Sequence, residues 1–158
     1  MADLTNARPI DRLLAEYGES HQNETNKAVH WVCVPVIVWT VIALFWSVPV
    51  SFGHPMVNLA TVLLAASLAY YVWLSLPLAI GFAIFGAACI GIILAYEGAT
   101  SFPLWQTALI IFVLAWIGQF WGHKVEGKKP SFLKDVQFLM IGPAWLMSFL
   151  YRRFGIAY

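Results

Sequence analysis

The chain has 158 residues, of which 61% are hydrophobic and only 11% are charged. A soluble domain carries about 25% charged residues, so this composition excludes a water-soluble protein and predicts a single integral membrane domain over residues 1–158. The net charge of +1 gives no indication of a nucleic-acid partner, and membrane lipids are the expected surroundings.

The first predicted element is an amphipathic helix over residues 10–18. Apolar side chains recur there at positions i, i+3, i+4 and i+7: Ile10, Leu13, Leu14 and Tyr17. This spacing places them on one helix face, and Gly18 follows as a residue that ends helices. The pattern predicts a helix that lies at the membrane interface.

Four apolar segments follow, and each approaches the length of about 20 residues that a membrane-spanning helix needs. They cover residues 31–52, 57–75, 78–96 and 104–122. Pro77 separates the second from the third within a very short turn, so these two segments are predicted to form a tight helical hairpin. The sequence thus predicts four transmembrane helices.

The distribution of basic residues predicts the orientation of these helices. All nine Lys and Arg residues lie before the first segment, after the fourth or near the end of the chain, and none lies in the connections between segments. Cytoplasmic loops carry an excess of Lys and Arg. The N-terminus, residues 122–135 and the C-terminus are therefore predicted to be cytoplasmic.

A last apolar segment, residues 136–151, has only 16 residues and contains Gly142 and Pro143. A full fifth span would carry Arg152 and Arg153 across the membrane, against this orientation. We therefore expect a broken, interfacial or re-entrant helix, whose freed backbone groups must be covered by neighbouring helices or water. The predicted fold class is all-α: a polytopic membrane helix bundle with four transmembrane helices, an N-terminal interfacial helix and this C-terminal segment.

Three of the four histidines fall on the same predicted side of the membrane. His21 and His30 precede the first span and His123 closes the fourth, whereas His54 lies in the connection on the opposite side. A straight helix of about 24 residues rises about 36 Å, so His54 cannot share a site with His30. We expect His54 to be an ordinary loop residue beside Pro55.

His21 and His30 need a break between them if they are to serve one site. On a continuous helix, nine steps of about 100° would place them on opposite sides. The intervening stretch NETN supplies such a break, because Asn23, Thr25 or Asn26 can cap a new helix that runs into the membrane. Both rings would then turn inward.

His123 and Glu126 share a helix face if the fourth helix continues to residue 126. Three imidazoles, with or without this carboxylate, then converge at one membrane surface, and such donors suit iron, zinc, copper or manganese. The alternative is that the histidines bond to backbone or lipid headgroups.

Lys124 and Lys128 either report orientation or hold a substrate carboxylate, and Asn26 either caps a helix or orients a ligand.

Two stretches of the chain carry a resemblance to a known family. Residues 17–35, YGESHQNETNKAVHWVCVP, resemble the pattern Y-x-x-x-H-x-x-x-x-N-x-x-x-H-x-x-x-x-P. Residues 122–150, which begin GHKVEGKKP, resemble a second block, G-H-x-x-E-x-x-x-P followed by an apolar segment with a proline. Both blocks, in this order and separated by apolar spans, resemble the membrane-bound, iron-dependent 2-hydroxy fatty acid dioxygenases over nearly the whole chain.

This resemblance implies that the protein uses O₂ to convert a 2-hydroxy fatty acid into the fatty acid one carbon shorter, which is a reaction of fatty acid α-oxidation. It implies an Fe(II) cofactor held by His21, His30 and His123, with Glu126 as a fourth catalytic position. The residues that we expect to bind the substrate are Lys124, Lys128 and Asn26.

The membrane that holds the protein and three competing functions are further expectations. The terminal residues AY form no retention-type tail, which favours a bacterial inner membrane over the endoplasmic reticulum. Membrane-embedded histidines are also compatible with a non-enzymatic bis-histidine haem protein, a zinc-dependent membrane hydrolase, or a structural or lipid-binding protein. A Soret band would indicate the first, and activity without oxygen would indicate the second.

Overall fold

The structure, a computed structural model, describes residues 7–130 and 137–158. Its six α-helices are α1 (Pro9–Glu19), α2 (Glu24–Trp46), α3 (Leu59–Leu74), α4 (Leu76–Ala99), α5 (Leu104–Glu126) and α6 (Phe138–Arg153). Within the described residues there is no strand, and an isolated bridge joins Ser51 and Asn58. The predicted all-α class is confirmed.

Helix α1 is the predicted amphipathic helix. Ile10, Leu14 and Tyr17 are buried and belong to a core cluster shared with α6, so the apolar face of α1 packs on protein. The prediction that Gly18 ends this helix is wrong. Gly18 lies inside the helix without a positive φ, and the chain leaves the helix at Ser20.

Three helices are long and apolar enough to cross a membrane, judged by length and composition: α2, α4 and α5. Helix α3 is apolar but has 16 residues, so the fourth span remains a prediction. The first apolar segment, predicted over residues 31–52, lies on a helix that ends six residues earlier than this prediction, whereas its start before residue 31 agrees with the predicted cap in NETN. Helix α2 begins earlier because Asn23 caps it, and it ends at Trp46 because Pro49 disfavours helical backbone at the residue before it.

The predicted hairpin between the second and third apolar segments is confirmed. Ser75 is the single residue between α3 and α4, and it caps both helices. Its backbone N–H donates to the carbonyl of Tyr71, while its hydroxyl accepts from Leu78 N. Pro77 stands in the first turn of α4, where its missing N–H costs the helix nothing.

Helices α2 and α5 run side by side and form the most extensive contact between described helices. Glycines on α5 allow this approach. A Cβ at Gly122 would lie 2.7 Å from Asn26 Oδ1, and one at Gly118 would lie 2.9 Å from Cys33 Sγ, both too close for real atoms. Small residues at the α5 surface therefore set the distance between the two helices that carry His30 and His123.

The predicted break at Gly142 and Pro143 is wrong, because α6 is one helix with Pro143 inside it. The proline removes one helical hydrogen bond, but tertiary contacts hold the segment. Residues 141–146 are all buried, and the hydroxyl of Tyr71 donates to the carbonyl of Met140. Whether α6 is interfacial or re-entrant stays a prediction, and residue 136 lies outside the described residues.

Candidate metal centre

Three different elements position the three histidines that the sequence singled out. His21 lies in the turn between α1 and α2, His30 lies near the start of α2, and His123 lies in the last turn of α5. The turn exists because the side chain of Asn23 accepts from the backbone N–H groups of Thr25 and Asn26 and so starts α2. The predicted break with a helix cap between the two N-terminal histidines is confirmed.

The three imidazoles meet in the interior. One possible ligand atom from each ring lies within 4.8 Å of the other two, and His21 Nε2 is 2.9 Å from His30 Nε2. The side chains are 1%, 1% and 5% exposed for His21, His30 and His123. His54 is exposed and lies outside this group, with its Nδ1 accepting from Met56 N.

Hydrogen bonds to carbonyl groups orient two of the rings. His21 Nδ1 bonds to the carbonyl of Tyr17, and His30 Nδ1 bonds to that of Asn26 at 2.9 Å. A carbonyl only accepts, so each Nδ1 donates and each Nε2 of the neutral ring carries a lone pair. Two lone pairs that face each other at 2.9 Å are unfavourable unless a cation lies between them. This is the tautomer arrangement of metal-binding histidines.

The distances fit a shared ion. Nitrogen ligands about 2.1 Å from one ion are about 3.0 Å apart when the angle at the ion is a right angle, close to the separation of His21 Nε2 and His30 Nε2. The His123 ring is less constrained, because its Nδ1 is buried without a hydrogen-bond partner among the described residues. Its ring can therefore turn toward an ion held by the other two.

The protonation state of His21 suits metal binding. The pKa of His21 is lowered to about 4, chiefly by burial and to a smaller extent by the proximity of His123, while the hydrogen bond to the Tyr17 carbonyl and the charge of Glu126 act in the opposite direction. His21 is therefore neutral near pH 7. Metal ions bind neutral imidazole, so no proton has to leave this ring when an ion enters.

Aromatic residues enclose the cluster, and sequence reasoning had assigned them no role in it. The ring of Tyr17 stacks on that of His21 with centroids 4.1 Å apart, and Trp145 lies 5.2 Å from His21 on another side. Burial raises the pKa of Tyr17, so its hydroxyl stays protonated. The spacing of four residues between Tyr17 and His21 is the signal available in the sequence, since it places Tyr17 in the last turn of α1 and His21 just after that helix.

Glu126 lies beside the cluster but not among the converging ligand atoms. Its Oε1 accepts from Gln22 N at 2.9 Å, and its Oε2 accepts from Asn23 N at 2.9 Å and Asn26 Nδ2 at 3.0 Å. The carboxylate thus joins the end of α5 to the turn that carries His21. A negative charge at the N-terminus of α2 is also favourable for the helix dipole.

The three residues predicted to bind substrate occupy different environments. Asn26 is fully buried, and its amide donates to the Ser20 carbonyl and to Glu126. Lys128 Nζ donates to the carbonyl of Glu19, and Lys124 is exposed. Substrate contact by these three residues stays a prediction.

A small cavity of about 40 Å³ adjoins the cluster, and His30, His123 and Gln119 line part of it. A larger apolar cavity of about 270 Å³ lies deeper between the helices and shares Trp116 and Leu139 with the small one. An apolar groove of about 400 Å³ lies between α2, α4 and α6. The site therefore has space for a small polar group next to the histidines and for hydrocarbon further inside.

Comparison with known proteins adds a family. The family model described as "2-hydroxy-palmitic acid dioxygenase Mpo1-like" matches residues 7–154. No curated protein and no solved structure matches the chain. The family match includes both sequence blocks, the turn that carries His21 and the six described helices. The chain therefore belongs to the 2-hydroxy-palmitic acid dioxygenase Mpo1-like family.

Proposed function

We propose that the protein is an Fe(II)-dependent dioxygenase that converts a 2-hydroxy fatty acid and O₂ into the fatty acid one carbon shorter, with loss of the carboxyl carbon. The observation that carries this proposal is the meeting of three buried imidazoles, whose ligand atoms lie within 4.8 Å of one another, in a chain of this family. The four-span topology with the histidines at the cytoplasmic face forms part of the proposal.

His21, His30 and His123 would hold the ion. The chemistry supplied by bound iron is the activation of O₂ at coordination positions that three protein ligands leave open. The carbonyl groups of Tyr17 and Asn26 keep two of the rings in the tautomer that offers Nε2. Burial beneath aromatic side chains keeps bulk water away from the reacting groups.

Glu126 acts as a positioning residue in this proposal. Its carboxylate holds the backbone of Gln22 and Asn23, the two residues that follow His21. The same carboxylate bonds to Asn26, whose carbonyl orients His30. One side chain at the end of α5 thus restrains both N-terminal histidines relative to His123, which lies three residues earlier on the same helix.

The substrate would place its carboxyl and 2-hydroxyl groups in the small cavity and its hydrocarbon tail in the deeper apolar cavity. Both cavities share Trp116 and Leu139, so the head and the tail of one molecule can occupy them together after a small movement of these side chains. Lys124 and Lys128 would attract the carboxylate to this end of the bundle. Lipid already solvates the tail before it enters.

The geometry is less suited to the haem alternative. The cavity beside the histidines has a volume of about 40 Å³, which is far too small for a porphyrin ring. A colourless Fe(II) sample without a Soret band would agree with the dioxygenase proposal.

The test uses full-length protein purified in detergent without added metal. Elemental analysis should find iron, and oxygen uptake should follow addition of 2-hydroxypalmitate but not of palmitate. Chelation of the metal should abolish the uptake, and Fe(II) should restore it. Uptake that persists in fully metal-free protein, or conversion of the substrate under anaerobic conditions, would overturn the proposal.

A further inference from the structure

Gln119 is a buried polar residue whose amide oxygen is unpaired. It lies on α5 four residues before His123, so both side chains project from the same helix face. The residue is 7% exposed, and its Oε1 has no hydrogen-bond partner within residues 7–130 and 137–158. Together with His30 and His123 it lines the small cavity beside the histidine cluster.

Packing alone does not account for this glutamine. The cavity wall around it is largely apolar and includes Val34, Ile37 and Leu139. A leucine or methionine would fill the same space without leaving a buried acceptor unpaired. Buried polar atoms normally have a partner, and an exception that lines a cavity indicates a ligand that supplies the missing bond. A group that enters the cavity is therefore expected to donate to Gln119 Oε1.

We propose that Gln119 recognises the 2-hydroxyl group of the substrate by accepting its hydrogen bond. This inference rests on the proposed function, since it names a specificity residue of the same site. At neutral pH the carboxylate of a fatty acid has no hydrogen to donate, whereas the 2-hydroxyl group has one. An acid that lacks the hydroxyl leaves Gln119 unpaired, and a site built to bond a hydroxyl rejects such an analogue strongly.

The size of the cavity agrees with this assignment. A volume of about 40 Å³ admits a few atoms, which is enough for a polar head group but not for an acyl chain. The chain must lie in the larger apolar cavity beyond Trp116 and Leu139. Gln119 therefore faces the end of the substrate at which a 2-hydroxy acid differs from an ordinary fatty acid.

The test measures equilibrium binding of 2-hydroxypalmitate and palmitate to protein freed of metal by chelation, through quenching of tryptophan fluorescence. Removal of the metal prevents turnover and excludes contacts between the ion and the substrate, so that the contribution of Gln119 to binding can be measured. The variants are Gln119→Leu and Gln119→Met, which keep similar size without the amide. The matched control is Gln106→Leu, which removes a half-buried glutamine from the opposite end of α5.

Wild-type protein should bind 2-hydroxypalmitate about tenfold or more tightly than palmitate. In both Gln119 variants this ratio should fall close to one through weaker binding of the hydroxy acid, while Gln106→Leu keeps the wild-type ratio. An unchanged ratio in both variants overturns the inference. Equal weakening of both acids also overturns it, because that result indicates contact with the carboxylate.

Two further measurements separate this inference from the proposed function. Iron content after reconstitution should be the same in the Gln119 variants and in wild type, because the amide is not one of the converging ligands. Oxygen uptake by wild-type protein tests the dioxygenase activity alone. If wild-type protein takes up no oxygen, the proposed dioxygenase reaction is contradicted. If the affinity ratio of 2-hydroxypalmitate to palmitate nevertheless depends on Gln119, the proposed recognition of the 2-hydroxyl group is supported.

Discussion

The two ends of the α2–α5 pair use their polar side chains differently. At the end that carries His54, polar groups bond close neighbours in sequence. Asn58 caps α3 and exchanges hydrogen bonds with Thr61. At the end that carries the three buried histidines, which we call the histidine end, bonds join distant parts of the chain, such as the one from Asn23 N to Glu126, 103 positions away.

The histidine end also keeps buried polar atoms without partners among the described residues: Asn26 Oδ1, Gln119 Oε1 and His123 Nδ1. A local cap such as Asn58 stabilises the helix terminus beside it, and its hydrogen bonds are complete without a ligand. A network that joins distant segments and still leaves polar atoms unpaired would be completed by a ligand or ion, which supports the proposed site. The long-range bonds at the histidine end agree with the proposed position of the site.

The largest expected effect distinguishes the histidines of the two ends. Replacement of His21, His30 or His123 by alanine should reduce bound iron more than tenfold and abolish oxygen uptake, because each variant lacks one of the three proposed ligands. His54→Ala should leave both unchanged. Elemental analysis and an oxygen electrode give the two measurements. Full iron content in any of the three cluster variants would contradict its role as a ligand.

The second effect concerns the long-range carboxylate. Glu126→Ala should weaken iron binding by about 10- to 100-fold, because the turn that carries His21 loses its bonds to α5. Glu97→Ala, which removes an exposed carboxylate from the other end of the bundle, is the matched control. Titration of chelated protein with Fe(II) gives the affinities. Equal affinities in the two variants would show that Glu126 does not position the histidines.

The third effect concerns the close approach of α2 and α5. Gly122→Ala should lower the free energy of unfolding by about 2 kcal/mol and weaken iron binding, because the new Cβ would lie 2.7 Å from Asn26 Oδ1. Gly91→Ala on α4 meets nothing within 4 Å and should be neutral or slightly stabilising. Thermal unfolding in detergent compares the two. If Gly122→Ala leaves the free energy of unfolding unchanged, α2 and α5 can move apart without loss of stability.

The smallest effect is a pH dependence of metal-free protein. The pKa of His21 is lowered to about 4 in the folded state, against 6.5 for the free side chain. Between these values the unfolded chain binds more protons, so the stability contribution is complete above pH 6.5 and is lost as the pH falls toward 4. The loss should be about 1 kcal/mol between pH 7 and pH 5.5.

Two variants check this origin of the acid sensitivity. His21→Leu should reduce the dependence of unfolding temperature on pH without abolishing it, because the buried His30 and His123 also contribute to this dependence. His54→Leu removes an exposed histidine and should keep the slope of the wild type. A slope that is the same in His21→Leu and in wild type would show that His21 is not one of the titrating groups.

The features that were predictable from sequence are those that local chemistry determines. Pro77, two residues after Ser75, separates α3 from α4, and the side chain of Asn23 caps the start of α2. The proximity of the His21 and His30 rings was predictable because it depends on the turn between α1 and α2, and the cap that forms this turn lies between the two histidines in sequence.

The features that were not predictable depend on tertiary contacts. Pro143 favours a break by its own chemistry, but burial of its neighbours and the bond from Tyr71 to the Met140 carbonyl keep α6 helical. Gln119 resembles any polar residue in an apolar helix until the cavity beside it is known. The hydrogen bonds of Glu126 join segments too far apart in sequence for spacing to indicate them.

The long separation between Glu126 and the turn after His21 also has a consequence for biosynthesis. A chain leaves the ribosome from its N-terminus, and its segments fold in the order of their synthesis. The first two histidines emerge about a hundred residues before the third and before the carboxylate that restrains them. Under the proposed function, a nascent chain therefore completes its three-histidine site only when α5 has been made and placed beside α2, and loading with the ion would be a late step of maturation.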